Sequence, residues 1–513
     1  MKLSLLFRTI RHLRFTQVFY QIRHRLIKPS YRSFLAPPFN YSRLMTEPIP
    51  RENCLDRDRF IFLNIEHRFS GWDFTGNGML WAYNQNYFDW INQEGLSTEN
   101  GCYWIDKFIE DFPMNKVGLD SYPSALRIGN WVKFFCQHPE CATKLRLDSL
   151  YSQTKLLEKK LEFHLLANHL LEDAYALFIA SVFFCDERLY SKAAKLLKSQ
   201  LKEQVLGDGA HFEQSPMYHC ILLDRLLDCI NIALVFKSQK SYSKMISEHL
   251  TSDLIFLTSY SERMLGHLES IVWKDRTIPL LNDAALGIAP TPGQIFDYAN
   301  RLGLKWNAIP LNESGYRKLV GETMEAVVDV GNIAANYQPG HTHADVLNYE
   351  LRIDGKPFVV DCGISTYDKT PRRQYERGTA AHNCIVVDGK DSSEVWGGFR
   401  VGRRCHVEVS SVEYRDKSHF NVKSLIASHN GFAKPCKRKF EMNDEGFTVE
   451  DRYEGEAVSF IHLAEGADDK QVKIEGAINI EEGTWKYSTE YNRFKVGKEI
   501  KITFKNHLKY TIR

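Results

Sequence analysis

Near the middle of the chain, "GHTHAD" at residues 340 to 345 sets His341 and His343 one residue apart, with Asp345 two further on. If the stretch is a strand, its period of two sends all three to one face, with Thr342 and Ala344 on the other. Such a face suits proton transfer or metal binding, whereas a solvated edge strand, or a histidine held by one buried hydrogen bond, would use the same letters. Two other stretches are as polar. In "LLANHLLEDAYAL", Asn168, His169 and Glu172 sit among leucines, and the three-residue spacing places His169 beside Glu172 on one helix face. A carboxylate there fixes an imidazole tautomer and raises its basicity, unless the two are simply a surface ion pair. In "GDGAHFEQSPMYHCILL", Ser215 and Pro216 read as an N-cap and first helical position, with Tyr218 and His219 in the first turn facing any cleft at that helix end. Tyr218 is then either a general acid or base or an amphipathic core-edge residue. Finally, His343, Asp361 and His382 fall on separate predicted strands or their ends; two histidines and an aspartate suit zinc, though spacing of this length is not diagnostic.

The elements that must position these residues come in two textures. Up to about residue 305 apolar residues recur at helical spacing, clearest in "TKLLEKKLEFHLLANHLLEDAYALFIASVFF". Beyond "TPGQIFDYANRLGLKWNAIP" the chain alternates, in "FVVDCG", "HVEVSSVEYR", "FTVEDRYEG" and "EIKITF", between Gly, Asn and Asp turns. The reading is a helical domain over 56–311 and an antiparallel β-sandwich over 312–513, preceded by a basic amphipathic segment, 1–55. That segment carries eight Lys/Arg and no Asp/Glu from Lys2 to Arg32, with Leu6, Ile10 and Leu13 at helical spacing. A helix of this kind lies on an anionic surface or packs its apolar side on its own protein.

With 513 residues and a net charge of +2, the composition is globular and offers no surface for nucleic acid. The apolar runs are too short for a transmembrane helix, and Arg8 interrupts "LSLLF" before a secretory signal forms. Eleven scattered cysteines without a CxxC pair fit reduced thiols. The expected location is cytoplasmic or membrane-peripheral, with the periplasm or cell envelope as the alternative.

The stretches "GHTHADVLNYEL", "VVDCGISTY", "RGTAAHNCIVVDG" and "EVWGGFRVGRR", with "ANHLLEDAYAL" and "DGAHFEQSPMYH" before them in order, resemble the heparinase II/III family of polysaccharide lyases. "LWAYNQNYFDWI" and "GLDSYPSALRIGNWVKFF" are similar to segments of members associated with bacterial surface-polysaccharide loci. The resemblance implies an incomplete (α/α) toroid followed by an antiparallel β-sandwich, with the site between them. It implies β-elimination on an anionic, uronic-acid-containing polysaccharide, either heparin/heparosan-like or a bacterial surface polymer.

In that scheme Asn168 and His169 bind the uronate carboxylate, Glu172 supports or contacts substrate, Tyr218 protonates the leaving O4, and His341 serves as base or electrostatic partner. His343, Asp361 and His382 map to a zinc site, structural rather than catalytic, with Asp345 orienting backbone or imidazole and no organic cofactor. Tyr83, Tyr87 and Trp131 would stack on sugars, and Arg373, Arg377, Arg400 and Arg404 would meet carboxylates or sulfates. Two other functions share these residues: a uronate C5-epimerase, which returns the proton to the opposite face, and a non-catalytic glycan-binding or assembly protein.

Overall fold

The helix Ala167–Phe183 is apolar on every side, and only His169 among its residues escapes burial. Such a helix must lie at the centre of its domain. In the computed structural model, which describes residues 3–38, 45–52, 54–238, 244–416 and 421–513, it packs among Ser121–Gln137, Glu187–Gln204 and Pro216–Ser238. Glu187–Gln204 shows the complementary pattern, burying Leu189, Ala193, Leu197 and Leu201 along one face as an outer helix does. Met79–Tyr87, Thr98–Asp111, Lys144–Leu157, Lys244–Ile271 and Pro292–Arg301 are the other α-helices of this half among the described residues.

This half does not start as a helix. Leu55–Asp56, Arg59–Phe62 and Ile65–Arg68 form a small antiparallel sheet, because Phe60 and Phe62 alternate with more exposed Arg59 and Ile61 and only a strand buries both rings.

From Tyr316 onward, eleven strands among the described residues form one antiparallel sheet. Its spine is Gly446–Leu463, which pairs with Cys436–Asn443 on one side and with Arg493–Ile512 on the other. Met324–Asp329 pairs with Tyr349–Ile353, and the residues between them, including 340–345, form no strand. "GHTHAD" is therefore an irregular loop, and its two histidines are aimed by hydrogen bonds to Asp283 rather than by a pleat. The hairpin Val472–Glu490/Arg493–Ile512 reaches back to the helical half at its tip. There Asn64 donates to the Tyr491 carbonyl and Asn492 to that of Leu63, both at 2.9 Å. These bonds hold the two halves around a shared cavity.

Candidate active site

The cavity, about 440 Å3, is lined from the helical half by Tyr83, Tyr87, Tyr122, Asn168, His169 and Tyr218, and from the other by His341, Tyr367, Phe399 and Tyr491. Three of the segments that bring side chains to it or brace them begin with strained backbone. Leu166 and Ala167 have φ of 65° and 53° just before Asn168; Gln214, at 56°, precedes the helix carrying Tyr218; Asn282, at 58°, precedes Asp283. Left-handed conformations at non-glycine residues cost about 1–3 kcal/mol each and persist where surrounding contacts over-determine them.

Those contacts are specific. Asn168 donates its amide and its Nδ2 to Glu213 Oε1, each at 2.9 Å, and Nδ2 lies 3.4 Å from His341 Nε2. Ser215 Oγ accepts the amide of Tyr218, as an N-cap does. The Tyr218 ring then stacks on His341 at 3.9 Å between centroids, and its hydroxyl lies 3.1 Å from that of Tyr367. Burial pushes the Tyr218 phenol well above its ordinary range, which favours its neutral form. His341 donates from Nδ1 to Asp283 Oδ2 at 2.9 Å, and its Nε2 lies 3.4 Å from Glu213 Oε2. Asp283 is the hub beneath it: its carboxylate also accepts His343 Nε2 at 2.8 Å and Arg373 at 2.5 and 2.8 Å. Burial works against that charge, but Arg373 and the two histidines outweigh it and hold Asp283 well below the usual carboxylate range.

Several residues sit differently from the sequence-based expectation. His169 meets Glu162, not Glu172, with Nδ1 donating to Oε2 at 3.0 Å. Glu172 points into the interior near Arg225, its Oε1 without a hydrogen-bond partner among the described residues, and burial raises it to about 7 against the pull of that arginine. His219 also turns inward, its Nε2 bonded to the Met264 carbonyl. Trp131 is fully buried against Phe88 and Phe108 and offers no face to a sugar. Tyr83 and Tyr87 do line the cavity, and the Tyr83 hydroxyl donates to Asp120.

None of the four arginines is among the residues that line the cavity. Arg373 is spent on Asp283, and Arg377 is buried behind the "GHTHAD" loop, donating to the Thr342 and Pro339 carbonyls. Arg400 lies over Trp396 and Arg404 donates to the Asn336 carbonyl, both outside the cavity lining. Arg51, Lys133 and Arg225 face the cavity instead, paired with Asp89, Asp228 and Asp224 at 3.2, 2.9 and 2.8 Å. Glu213 and Asp283 escaped the sequence reading, although "HFEQSP" and "LLNDAAL" each place a carboxylate beside apolar residues.

The second histidine of the pair belongs to a different cluster. His343 and His382 are fully buried and each gives one ring nitrogen to a carboxylate, His343 Nε2 to Asp283 and His382 Nδ1 to Asp361 at 2.7 Å. Their other nitrogens, His343 Nδ1 and His382 Nε2, have no hydrogen-bond partner among the described residues, nor has Asp345 Oδ2. Ligand atoms of these three residues lie within 4.8 Å of one another. Asp361, expected as a ligand, is engaged by His382, Asn348 and the Gly363 amide. Asp345 thus supplies the free oxygen and Asp361 orients an imidazole, the reverse of the expected roles. Burial holds His343 down at about 4, so it is neutral; for His382 burial acts in the same direction, but Asp361 outweighs it and raises the ring to about 9.

The Glu162–His169 pair makes a pH-dependent contribution. Burial lowers His169, but Glu162 outweighs it, so its pKa is raised above 6.5, while Glu162 is lowered below 4.5 by His169 in spite of its own burial. The histidine's share is complete below its unfolded pKa and lost as pH rises through the raised value; the glutamate's is lost as pH falls through the depressed one. Glu162→Gln is therefore expected to cost about 2 kcal/mol in denaturant unfolding at pH 5 to 6. The gap to wild type should narrow on both sides of that window. A gap independent of pH would show that the pair is not ionised.

The family model "Heparinase II/III N-terminus" matches residues 138–289, and "Heparinase II/III-like, C-terminal" matches 304–462. A heparin-sulfate lyase of Pedobacter heparinus is 24% identical over 336 residues, 61% of this chain and 48% of that protein. One from Bacteroides stercoris is 25% identical over 258 residues, 44% of this chain and 36% of its own length. The chain thus spans about half or less of the curated relatives it matches. Among solved structures, a heparinase III superposes with a TM-score of 0.61 at 14% identity, covering 85% of this chain and 76% of that one. The heparan sulfate lyase HepC from Pedobacter heparinus gives 0.55 at 14%, covering 97% and 87%. Since the first match contains Asn168, His169, Tyr218 and Asp283, the second contains His341, and the fold is shared across both, the chain belongs to the heparinase II/III family.

Proposed function

We propose that the chain is a polysaccharide lyase that cleaves a uronic-acid-containing polysaccharide by β-elimination. The observation that carries this reading is the meeting of Tyr218 and His341, stacked in one cavity with Asn168 and His169 beside them. The C5–H bond breaks as its proton passes to a base, the electron pair forms the C4–C5 double bond, and the C4–O4 bond breaks as O4 gains a proton. A carbon acid of this kind reacts fast only if the developing charge on the carboxylate is stabilised, the role assigned to Asn168 and His169. Tyr218, neutral because it is buried, suits protonation of O4, and His341 Nε2 suits removal of the C5 proton. The substrate's C5 configuration decides whether Tyr218 also takes that proton.

In this reading the helical half is an incomplete (α/α) toroid and the sheet half a β-sandwich. The gap between the helix ending at Arg301 and the strand starting at Tyr316 supports a boundary near residue 312. The names of the two curated relatives make heparin sulfate the first substrate to try. Incubation with a panel of uronic-acid polymers should yield an ultraviolet-absorbing unsaturated product. Solvent deuterium at C5 without chain shortening would assign an epimerase instead, and neither signal from folded protein would leave a glycan-binding role.

The three unpartnered atoms of His343, Asp345 and His382 fit zinc, which accepts nitrogen and oxygen ligands, with Asp283 and Asp361 fixing the imidazole tautomers. Bound there, the ion would supply a structural cross-link between the "GHTHAD" loop and the segment after residue 378. Purified protein should contain stoichiometric zinc by elemental analysis, and a strong chelator should lower its melting temperature. His343→Ala should lose metal and stability first. Protein that is metal-free as isolated, and whose melting temperature zinc does not raise, would remove the metal from this reading.

A further inference from the structure

The first two helices, α1 (Leu3–Ile10) and α2 (Phe15–Leu26), are amphipathic, yet they are mounted the opposite way from an ordinary surface helix. Their polar side holds them to the protein. Arg8 makes a bidentate pair with Glu394 at 2.7 Å, Thr9 accepts from Trp396, and Arg14 pairs with Glu203. Gln17, the one buried residue of α2, donates to the Leu165 and Tyr337 carbonyls. The apolar stripes face outward: Leu3, Phe7 and Ile10 on α1, then Phe15, Phe19, Ile22 and Leu26 on α2. Phe7 is 71% exposed, Phe15 83% and Leu26 78%. Exposed Arg11, Arg25, Lys28 and Arg32 accompany these stripes, and the first acidic residue of the chain is Glu47.

We propose that this face docks on the surface of an anionic lipid bilayer, with the apolar stripes at the acyl boundary and the arginines and lysine among the headgroups. Charge selects this occupant over a second copy of the chain. A two-fold contact would set these cations against their own kind with no acidic residue on either helix, whereas an anionic surface attracts every one of them. None of the described helices is long and apolar enough to cross a membrane, so the attachment is peripheral. It also has a consequence for the cavity, because Leu165 and the 338–341 loop, which α2 braces, line it. Docking would hold that side of the cavity close to the bilayer. The proposal stands independently of the lyase reading.

The test is flotation of the full chain with phosphatidylcholine vesicles, with and without phosphatidylglycerol, alongside light scattering of the free protein. The protein should float with anionic vesicles, less so as salt rises, and remain behind with neutral ones. The exposed double variant Phe15→Ser/Phe19→Ser, melting as wild type does, should bind about tenfold or more weakly. Equal flotation of variant and wild type, or none by either, would overturn the proposal. So would a wild-type dimer that the double variant converts to monomer, since a second copy would then own the face.

Discussion

Tyr218→Phe is expected to lower the rate of β-elimination by about a thousandfold while the protein stays folded. The substitution removes one oxygen. In the folded protein that oxygen bonds, among the described residues, only the Tyr367 hydroxyl at 3.1 Å, so the loss to stability should be about 1 kcal/mol or less. The ring remains stacked on His341, and that imidazole keeps its bond to Asp283. What disappears is the neutral phenol stacked on His341 that would protonate O4; the other phenol beside it, that of Tyr367, sits 3.1 Å away, and a proton from there would have to cross that added distance. Initial rates of unsaturated-product formation, beside a melting curve for each protein, make the comparison. Should the phenylalanine variant keep more than about a tenth of the wild-type rate, Tyr218 does not carry the proton.

The second large effect is on the fold. Asp283→Ala is expected to destabilise the protein by about 3–5 kcal/mol, because it strands Arg373, which is fully buried and, among the described residues, pairs its two terminal nitrogens with no other carboxylate. The same substitution takes the acceptors from His341 Nδ1 and His343 Nε2, so activity and any bound metal should fall with stability. Denaturant unfolding measures the loss. A double variant, Asp283→Leu/Arg373→Met, separates the causes. It removes both charges, and so should recover much of the stability while leaving the histidines unoriented and turnover low. If the alanine variant unfolds as wild type does, the carboxylate is not the hub described.

Much of the site was readable because its residues lie in short polar stretches within apolar surroundings. Asn168 and His169 had to lie on a helix, Ser215 and Pro216 marked where the next one starts, and the two histidines of "GHTHAD" stood out by type. Distances between stretches were not readable. Glu172 was a reasonable partner for His169 on helical spacing, yet the left-handed turn at Leu166 and Ala167 folds Glu162 back over the helix end and gives it that place. The expected strand at 340–345 failed for a similar reason. Same-face geometry requires a pleat, and this loop is instead pinned by Arg377 from behind and by Asn282 and Asp283 alongside.

Burial was the other blind spot. Trp131 and Arg373 are residue types that recognise sugars and acids, and nothing local to them tells whether they face a cavity or a core. Arg51, Lys133 and Arg225, from three separate segments, hold the cavity-facing positions.

By itself, then, the sequence determined which residue types are available, the helical and stranded halves that carry them, and the amphipathic character of the first helices, because each of these is written in local periodicity and spacing. Tertiary structure alone decided that His341 faces Tyr218 while His343 turns to His382, that Asp283 braces both histidines, and that the apolar stripes of α1 and α2 point outward. Those outcomes depend on contacts between segments tens to hundreds of residues apart. Their energies come from burial and paired charge, which exist only once the chain has closed.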